Sequence, residues 1–238
     1  MSAADSVPAA GPATPGGQPI QSSADAAASA GTIQNTAEQH AQIELVLFDL
    51  SGVLADFRGA EVIAKLAGLA DHEVWPRWLA SPWMRRFDLD ACTPQAFASG
   101  VVEEWRLPLT PPEFLDAYTG WMHGPYEGAE RLVAATAERV TTGCLSNMNP
   151  IHWAEMLDWP LISHFARRFV SCEIALVKPD REIYEYVTDF LAVEPELILF
   201  LDDNQINVDQ ARAYGFQSAV VRGVKEAEQA LHARGIFG

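Results

Sequence analysis

The chain has little cysteine. Its 238 residues include three, Cys92, Cys144 and Cys172, an odd number placed far apart. No Cys-x-x-Cys pair occurs, which argues against a disulfide framework or a zinc knot and makes a reducing cytoplasm the expected location. Basic residues are also scarce: 16 Lys and Arg stand against 32 Asp and Glu, for a formal charge of −16. With a pI of about 4.6, that balance argues against nucleic acid or an anionic membrane surface as a partner. A small anionic substrate is not disfavoured, because a local site can be positive on an acidic protein. No apolar run approaches the ~18 residues needed to span a bilayer. Residues 1–40 lack Lys and Arg altogether and are rich in Ala, Ser, Pro, Gly and Gln. Such a stretch cannot bury enough apolar surface to offset its ordering entropy, so it predicts a disordered tail. The alternative is a short helix over 22–30 or a partner-binding role. The stretch has neither the basic start nor the apolar core of a secretory signal.

From residue 43 the chain alternates. Residues 43–48 form an apolar run of strand length that stops at Asp49 and enters a small turn, Leu50-Ser51-Gly52. A buried parallel strand delivers an acid to the sheet edge in this way, and ligands bind at that edge in open α/β sheets. Further strands are expected at 140–145, 169–171, 197–201 and 219–221. Helices are expected between and after them, at 127–138, 150–157, 180–191, 206–214 and 224–233. This alternation predicts an α/β fold with a doubly wound, Rossmann-like parallel sheet and right-handed crossovers. Residues 58–124 read as helices (60–69, 73–79, 94–105 and 112–122) with no convincing strand, and Ser81-Pro82 reads as a turn between two of them. That block is too long for a crossover and predicts a small helical cap. The expected organisation is a tail over 1–40, a core over 41–57 and 125–238, and a cap over 58–124.

Three later blocks can converge with Asp49. The segment Thr141-Thr142-Gly143-Cys144-Leu145-Ser146-Asn147 is a strand ending in a hydroxyl and an amide. Ser146 and nearby backbone N–H groups can donate to an oxyanion, although a polar helix cap explains the block equally well. Lys178, in Val177-Lys178-Pro179, can supply a point charge to an anion or carboxylate, or be a solvated surface lysine. In the fourth block, Asp202-Asp203 follows the apolar run Leu197-Ile198-Leu199-Phe200-Leu201. Adjacent carboxylates at a sheet edge are costly unless a cation joins them. Hard oxygen donors suit Mg²⁺, while an Asp-rich helix N-cap is the plainer reading of this block alone.

Together and in order, these four blocks resemble those of the haloacid dehalogenase (HAD) superfamily of hydrolases, over about residues 43–238. The cap stretch from Phe87 to Phe97, with Leu145-Ser146-Asn147-Met148-Asn149 and the run from Asp202 to Asn207, is similar to the glucose-1-phosphate phosphatase branch of the helical-cap subfamily. The resemblance implies a Mg²⁺-dependent phosphatase for a small phosphorylated metabolite, with a sugar phosphate the leading candidate. Asp49 would be the nucleophile that forms an aspartyl-phosphate. Ser146 would hold a phosphoryl oxygen, and Lys178 would neutralise charge and keep Asp49 ionised. Asp49, the Ser51 carbonyl, Asp202 and Asp203 would hold the metal, with Asn147 and Ser51 near the substrate. Beside the resemblance, Arg58 can reach substrate at the cap hinge or be a surface arginine, and Trp83 can line the pocket or, like the other cap tryptophans, pack the helices.

One position departs from the pattern. Many family phosphatases carry a second Asp two residues after the nucleophile as general acid, and here that position is Ser51. Either the leaving group is good, as an anomeric oxygen is, or another group such as His123 or a cap residue supplies the proton, or phosphatase activity is weak. Haloacid dehalogenases of the same superfamily also lack that acid. They need no metal, however, and the Asp202-Asp203 pair would be a needless repulsion in their site. A catalytically silent binding protein is the third alternative. Phe87 and Trp153 are further pocket candidates. Cys144 and His152 read as structural, and the chain is expected to be a monomer or homodimer.

Overall fold

The computed structural model describes residues 42–238; the tail expected over 1–40 and the helix considered at 22–30 fall outside them. Seven strands occur among these residues: β1 Leu45–Phe48, β2 Ala55–Phe57, β3 Met122–Pro125, β4 Thr141–Ser146, β5 Arg167–Val170, β6 Ile198–Asp202 and β7 Gln217–Val220. Five of them form one parallel sheet in the order β5-β4-β1-β6-β7. The helices are α1 Gly59–Ala67, α2 Asp71–Ala80, α3 Pro82–Asp88, α4 Pro94–Trp105, α5 Pro111–Thr119, α6 Ala129–Ala137, α7 Pro150–Met156, α8 Ser171–Ile174, α9 Arg181–Leu191, α10 Gln205–Tyr214 and α11 Gly223–Ala233. This is the doubly wound α/β sheet predicted from the alternation of apolar runs.

The central strand shows why the sheet is covered on both faces. Every residue of β1 is buried, and its side chains alternate between two apolar clusters. Val46 and Phe48 join Leu132, Trp153, Met156 and Leu231, from α6, α7 and α11. Leu45 and Leu47 join Ile183, Tyr184, Val187 and Ala211, from α9 and α10. A period of two along a strand with no polar face means helices on both sides.

A third cluster belongs to α1–α5: Ile63, Val74, Trp78, Phe87, Phe97, Val101, Trp105, Phe114, Tyr118 and Trp121 bury one another. Rings carry much of this packing. Phe87 and Phe97 stack at 4.1 Å, and Trp78 meets Trp105 edge-on at 6.2 Å, the offset and T-shaped geometries that the ring quadrupoles favour. Small helices with large aromatic cores can hold together in this way despite their length.

Two elements in this region differ from expectation. Ser81-Pro82 opens helix α3 instead of marking a turn. The Ser81 hydroxyl accepts hydrogen bonds from the backbone N–H of Trp83 (3.3 Å) and Met84 (3.4 Å), and Pro82 occupies the first turn, where its missing N–H is no loss. The absence of a strand in 58–124 is also corrected. β3 begins at Met122 and pairs antiparallel with β2, Phe57 opposite Met122 and Ala55 opposite Pro125. This ribbon stands where the chain leaves and re-enters the core. It is too short, and too rich in Gly and Pro, to show an alternating pattern.

Candidate active site

The strand register brings the site together. Phe48 lies opposite both Cys144 and Leu201, so Asp49 and Asp202 follow on adjacent strand ends, with Ser146 at the end of β4. The Asp49 N–H continues the ladder to the Leu201 carbonyl at 2.8 Å. Asp49, Asp202 and Asp203 each bring a carboxylate oxygen within 4.8 Å of the others. Lys178 Nζ lies 3.1 Å from Asp49 Oδ1 and 2.5 Å from Asp202 Oδ2. Its side chain is 1% exposed, and its ammonium stands 5.2 Å from the centre of the Phe200 ring. Of the two readings of Lys178, the structure has the charge placed against carboxylates and not the solvated surface lysine.

Each acid has its own environment. Asp202 is wholly buried and tightly held. Besides Lys178, it accepts from the Asn204 N–H at 2.8 Å and from Asn207 Nδ2 at 3.1 Å on both oxygens. Asp49 accepts from the Leu50 N–H at 2.8 Å. Burial pushes its carboxyl up to about 6; the Lys178 charge opposes that rise and the Asp202 charge adds to it. Asp203 rises to about 7, through burial first and then the charges of Asp49 and Asp202, with Lys178 and Arg222 opposing. Burial pulls the Lys178 ammonium down, but Asp202 and Asp49 together outweigh it and hold Lys178 above the usual lysine range. Burial is the first cause for both Asp49 and Asp203, and three carboxylates with one buried ammonium leave too little positive charge to offset it.

Ser146 Oγ is buried beside Asp49, close enough to help hold its charge, yet no donor or acceptor meets it in full hydrogen-bond geometry. A buried hydroxyl without a partner is costly in a finished core and suits a position that a ligand oxygen completes. Asn147 has a different task. Its Oδ1 accepts the Lys178 N–H and its Nδ2 donates to the Lys178 carbonyl, both at 2.8 Å, so it fixes the backbone that carries the lysine.

Gly52 sets the approach of Asp203. Its φ is +81°, and a Cβ there would lie 2.3 Å from Asp203 Oδ2. Gly52→Ala is therefore expected to displace Asp203 and strain the turn after β1. Thermal unfolding in metal-free buffer is expected to give a lower midpoint for the variant than for the parent.

Above the strand ends a cavity of about 940 Å³ opens between the core and the cap. Asp49, Ser51, Asn147, Lys178 and Asp203 line it from the core; Trp75, Trp78, Leu79, Met84, Asp88 and Tyr118 line it from the cap. Of the predicted substrate residues, Ser146, Arg58 and Trp83 do not line it; Ser146 is fully buried beside Asp49 at the end of β4. Arg58 forks onto Asp56 at 2.9 and 2.8 Å, which sits two residues away on the ribbon. Trp83 packs against Gly100, where a Cβ would fall 2.0 Å from its ring, beneath the Arg86 guanidinium. Phe87 is inside the cap cluster and Trp153 is in the core, its Nε1 donating to Glu173 at 2.8 Å. His123 is exposed on β3 and does not line the cavity. His152 does line it, but both ring nitrogens are engaged, with Asn149 at 3.1 Å and the Tyr118 carbonyl at 2.8 Å. Sequence reasoning assigned no role to Asn207 or to Asp88. Asn207 is the third residue of α10, five residues after Asp202.

Residues 43–215 match the haloacid dehalogenase-like hydrolases. Over 193 residues the chain is 27% identical to the N-acetylmuramic acid 6-phosphate phosphatase of Pseudomonas aeruginosa, covering 76% of this chain and 82% of that protein. Over 120 residues it is 29% identical to (S)-2-haloacid dehalogenase 1 of a Pseudomonas species, covering 48% and 51%. Its match to bifunctional epoxide hydrolase 2 of Rattus norvegicus is 35% identical over 71 residues, 30% of this chain, and spans only 13% of that protein's length. Among solved structures, a HAD family enzyme of Bacteroides thetaiotaomicron in complex with magnesium and inorganic phosphate superposes with a TM-score of 0.59 at 22% identity, covering 76% of this chain and 94% of that one; this likeness concerns the fold. Among the described residues no helix is long and apolar enough to cross a membrane. The family match contains all four strand-end blocks from Asp49 to Asp203 and most of the described residues, and the chain belongs to the haloacid dehalogenase-like hydrolases.

Proposed function

We propose that this hydrolase is a phosphatase that cleaves a small phosphomonoester, a sugar phosphate being the leading class, with Mg²⁺ as cofactor. The observation that carries the reading is the group of three converging carboxylates, Asp49, Asp202 and Asp203, with one buried ammonium among them. The donors are all hard oxygens, which fits Mg²⁺. When bound, Mg²⁺ would supply the missing positive charge for the carboxylates and for the oxygens of a phosphoryl group.

The chain's own residues divide the remaining work. Asp49 stands at the centre of the sheet edge with one oxygen fixed by the Leu50 N–H and Lys178. It would attack phosphorus and form the aspartyl-phosphate, which water then hydrolyses. Lys178 would neutralise charge on the transferring group, and the Ser146 hydroxyl, having no full partner of its own, would donate to a phosphoryl oxygen. Asn147 and Asn207 position Lys178 and Asp202 through the hydrogen bonds described above. The apolar cap wall would exclude water around the leaving group. The Pseudomonas phosphatase that the chain resembles acts on a sugar-acid phosphate, which supports the substrate class.

Ser51 and the dehalogenase relative favour a second reading, in which Asp49 attacks carbon and displaces halide. In that site the Asp202–Asp203 charge would serve no purpose. Inorganic phosphate release from a panel of sugar phosphates, with Mg²⁺ and with EDTA, separates the two. Metal-dependent phosphate release is expected. Metal-independent chloride release from a 2-chloroacid, without phosphate release, would reverse the assignment.

A further inference from the structure

We infer that Asp88, at the end of cap helix α3, is the proton donor to the leaving oxygen and takes over the task that Ser51 cannot perform. This rests on the phosphatase reading. An in-line displacement places the leaving oxygen opposite the attacking one. Asp49 attacks from the sheet edge, so the leaving oxygen points toward the cap wall of the cavity. Asp88 lines that wall.

The cap is docked so that Asp88 faces inward. Arg85, three residues earlier and on the same helix face, pairs with Asp180 of the core. Helix α3 also lies against α8. Among the described residues no side chain bonds to the Asp88 carboxyl, which leaves it available to a ligand. The alternatives are engaged or distant: both nitrogens of His152 are bonded, and His123 is off the cavity.

The surroundings of Asp88 favour its protonated form. Burial pushes it up to about 7, with the Lys178 charge opposing. Arg85 lines the same cavity, its charge engaged by Asp180; the other titratable groups that face Asp88 are Tyr118 of α5, Cys92 beyond α3 and Cys172 of α8, none of them positively charged. It also occupies the last turn of α3, where the helix dipole disfavours an anion. A carboxyl protonated near neutrality is what a general acid needs.

The balance closes in two steps. As the Asp49 oxygen bonds to phosphorus and the ester P–O bond breaks, the Asp88 proton moves to the leaving oxygen, giving the alcohol and an Asp88 carboxylate. Water then attacks the aspartyl-phosphate, its proton returns to Asp88, and phosphate leaves with Asp49 restored.

The test compares Asp88→Asn with the parent on two esters in Mg²⁺: a primary-alkyl sugar phosphate, whose alkoxide needs a proton, and a nitrophenyl phosphate, whose phenolate does not. The variant is nearly isosteric and removes an unpaired acid, so it is expected to unfold no earlier than the parent. Turnover of the alkyl ester should fall ~10²–10⁴-fold, and that of the aryl ester by less than about tenfold. The alkaline decline of the parent's kcat/KM near neutrality should vanish in the variant. Equal losses on both esters, or none, would overturn the role of Asp88 and leave the phosphatase reading intact. Failure of the parent to turn over either ester would overturn that reading, and this inference with it.

Discussion

Asp49→Asn is expected to abolish phosphate release and, in the absence of metal, to make the protein more stable. The two effects share one cause. The Asp49 carboxyl is held up to about 6 by burial, with Lys178 opposing and Asp202 adding to the rise, against about 3.9 in an unfolded chain. A folded carboxyl with a raised value binds its proton more tightly than the unfolded one. Stability from that group is present below about pH 4 and is lost as pH rises through about 6. At pH 8 the parent carries the full strain of a buried charge that Lys178 does not wholly compensate. Asparagine keeps the acceptor for the Leu50 N–H and removes the charge. In EDTA at pH 8 the variant should gain roughly 1–3 kcal/mol, and the gain should disappear at pH 4. Denaturant unfolding at the two pH values measures it. Removing the nucleophile should lower turnover by on the order of 10⁴–10⁶-fold. A residue kept only for packing would not give activity loss together with a stability gain.

Lys178→Met is expected to have the opposite effect on stability. The ammonium is the buried counter-charge to Asp49 at 3.1 Å and Asp202 at 2.5 Å. Methionine keeps an apolar stem against Phe200 but leaves both carboxylates unbalanced. Breaking a buried pair by removing one partner costs about 3–5 kcal/mol. The loss should grow from pH 5 to pH 8 as the acids ionise. Mg²⁺ should return part of it, because it supplies charge to the same oxygens. Activity should be lost in both cases. Thermal unfolding of the variant with and without Mg²⁺, at both pH values, measures the effect.

The sheet and its edge were legible because they rest on local pattern. The runs before Asp49 and Asp202 are uninterrupted and apolar, and each ends in its acid. Helix α4 has the bounds expected for it because Thr93 and Pro94 form a cap and first turn that need no distant partner. The same signal opens α3 at Ser81-Pro82, but a Ser-Pro step also suits a turn, so the helix that carries Asp88 is not evident from the pattern. The β2–β3 ribbon depends on pairing between residues far apart in the chain, which no local pattern announces. Selection among the cap tryptophans is equally non-local. Trp83 is drawn away from the cavity by the space at Gly100, whereas Trp75 and Trp78 reach it. Asp202 and Asp203 are identical in sequence terms. The first is held by Lys178, the Asn204 N–H and Asn207, while the second sits against Gly52. That division comes from the turn after β1 meeting the turn after β6.

The central claim, that Asp49 attacks phosphorus, is tested most directly by trapping the covalent enzyme. The parent is mixed with a sugar phosphate and Mg²⁺, quenched in acid within the first turnover, digested and weighed by mass spectrometry. A phosphoryl group on the peptide carrying Asp49, absent from Asp49→Asn and absent in EDTA, is the result expected. An unmodified Asp49 peptide during active turnover would contradict the account.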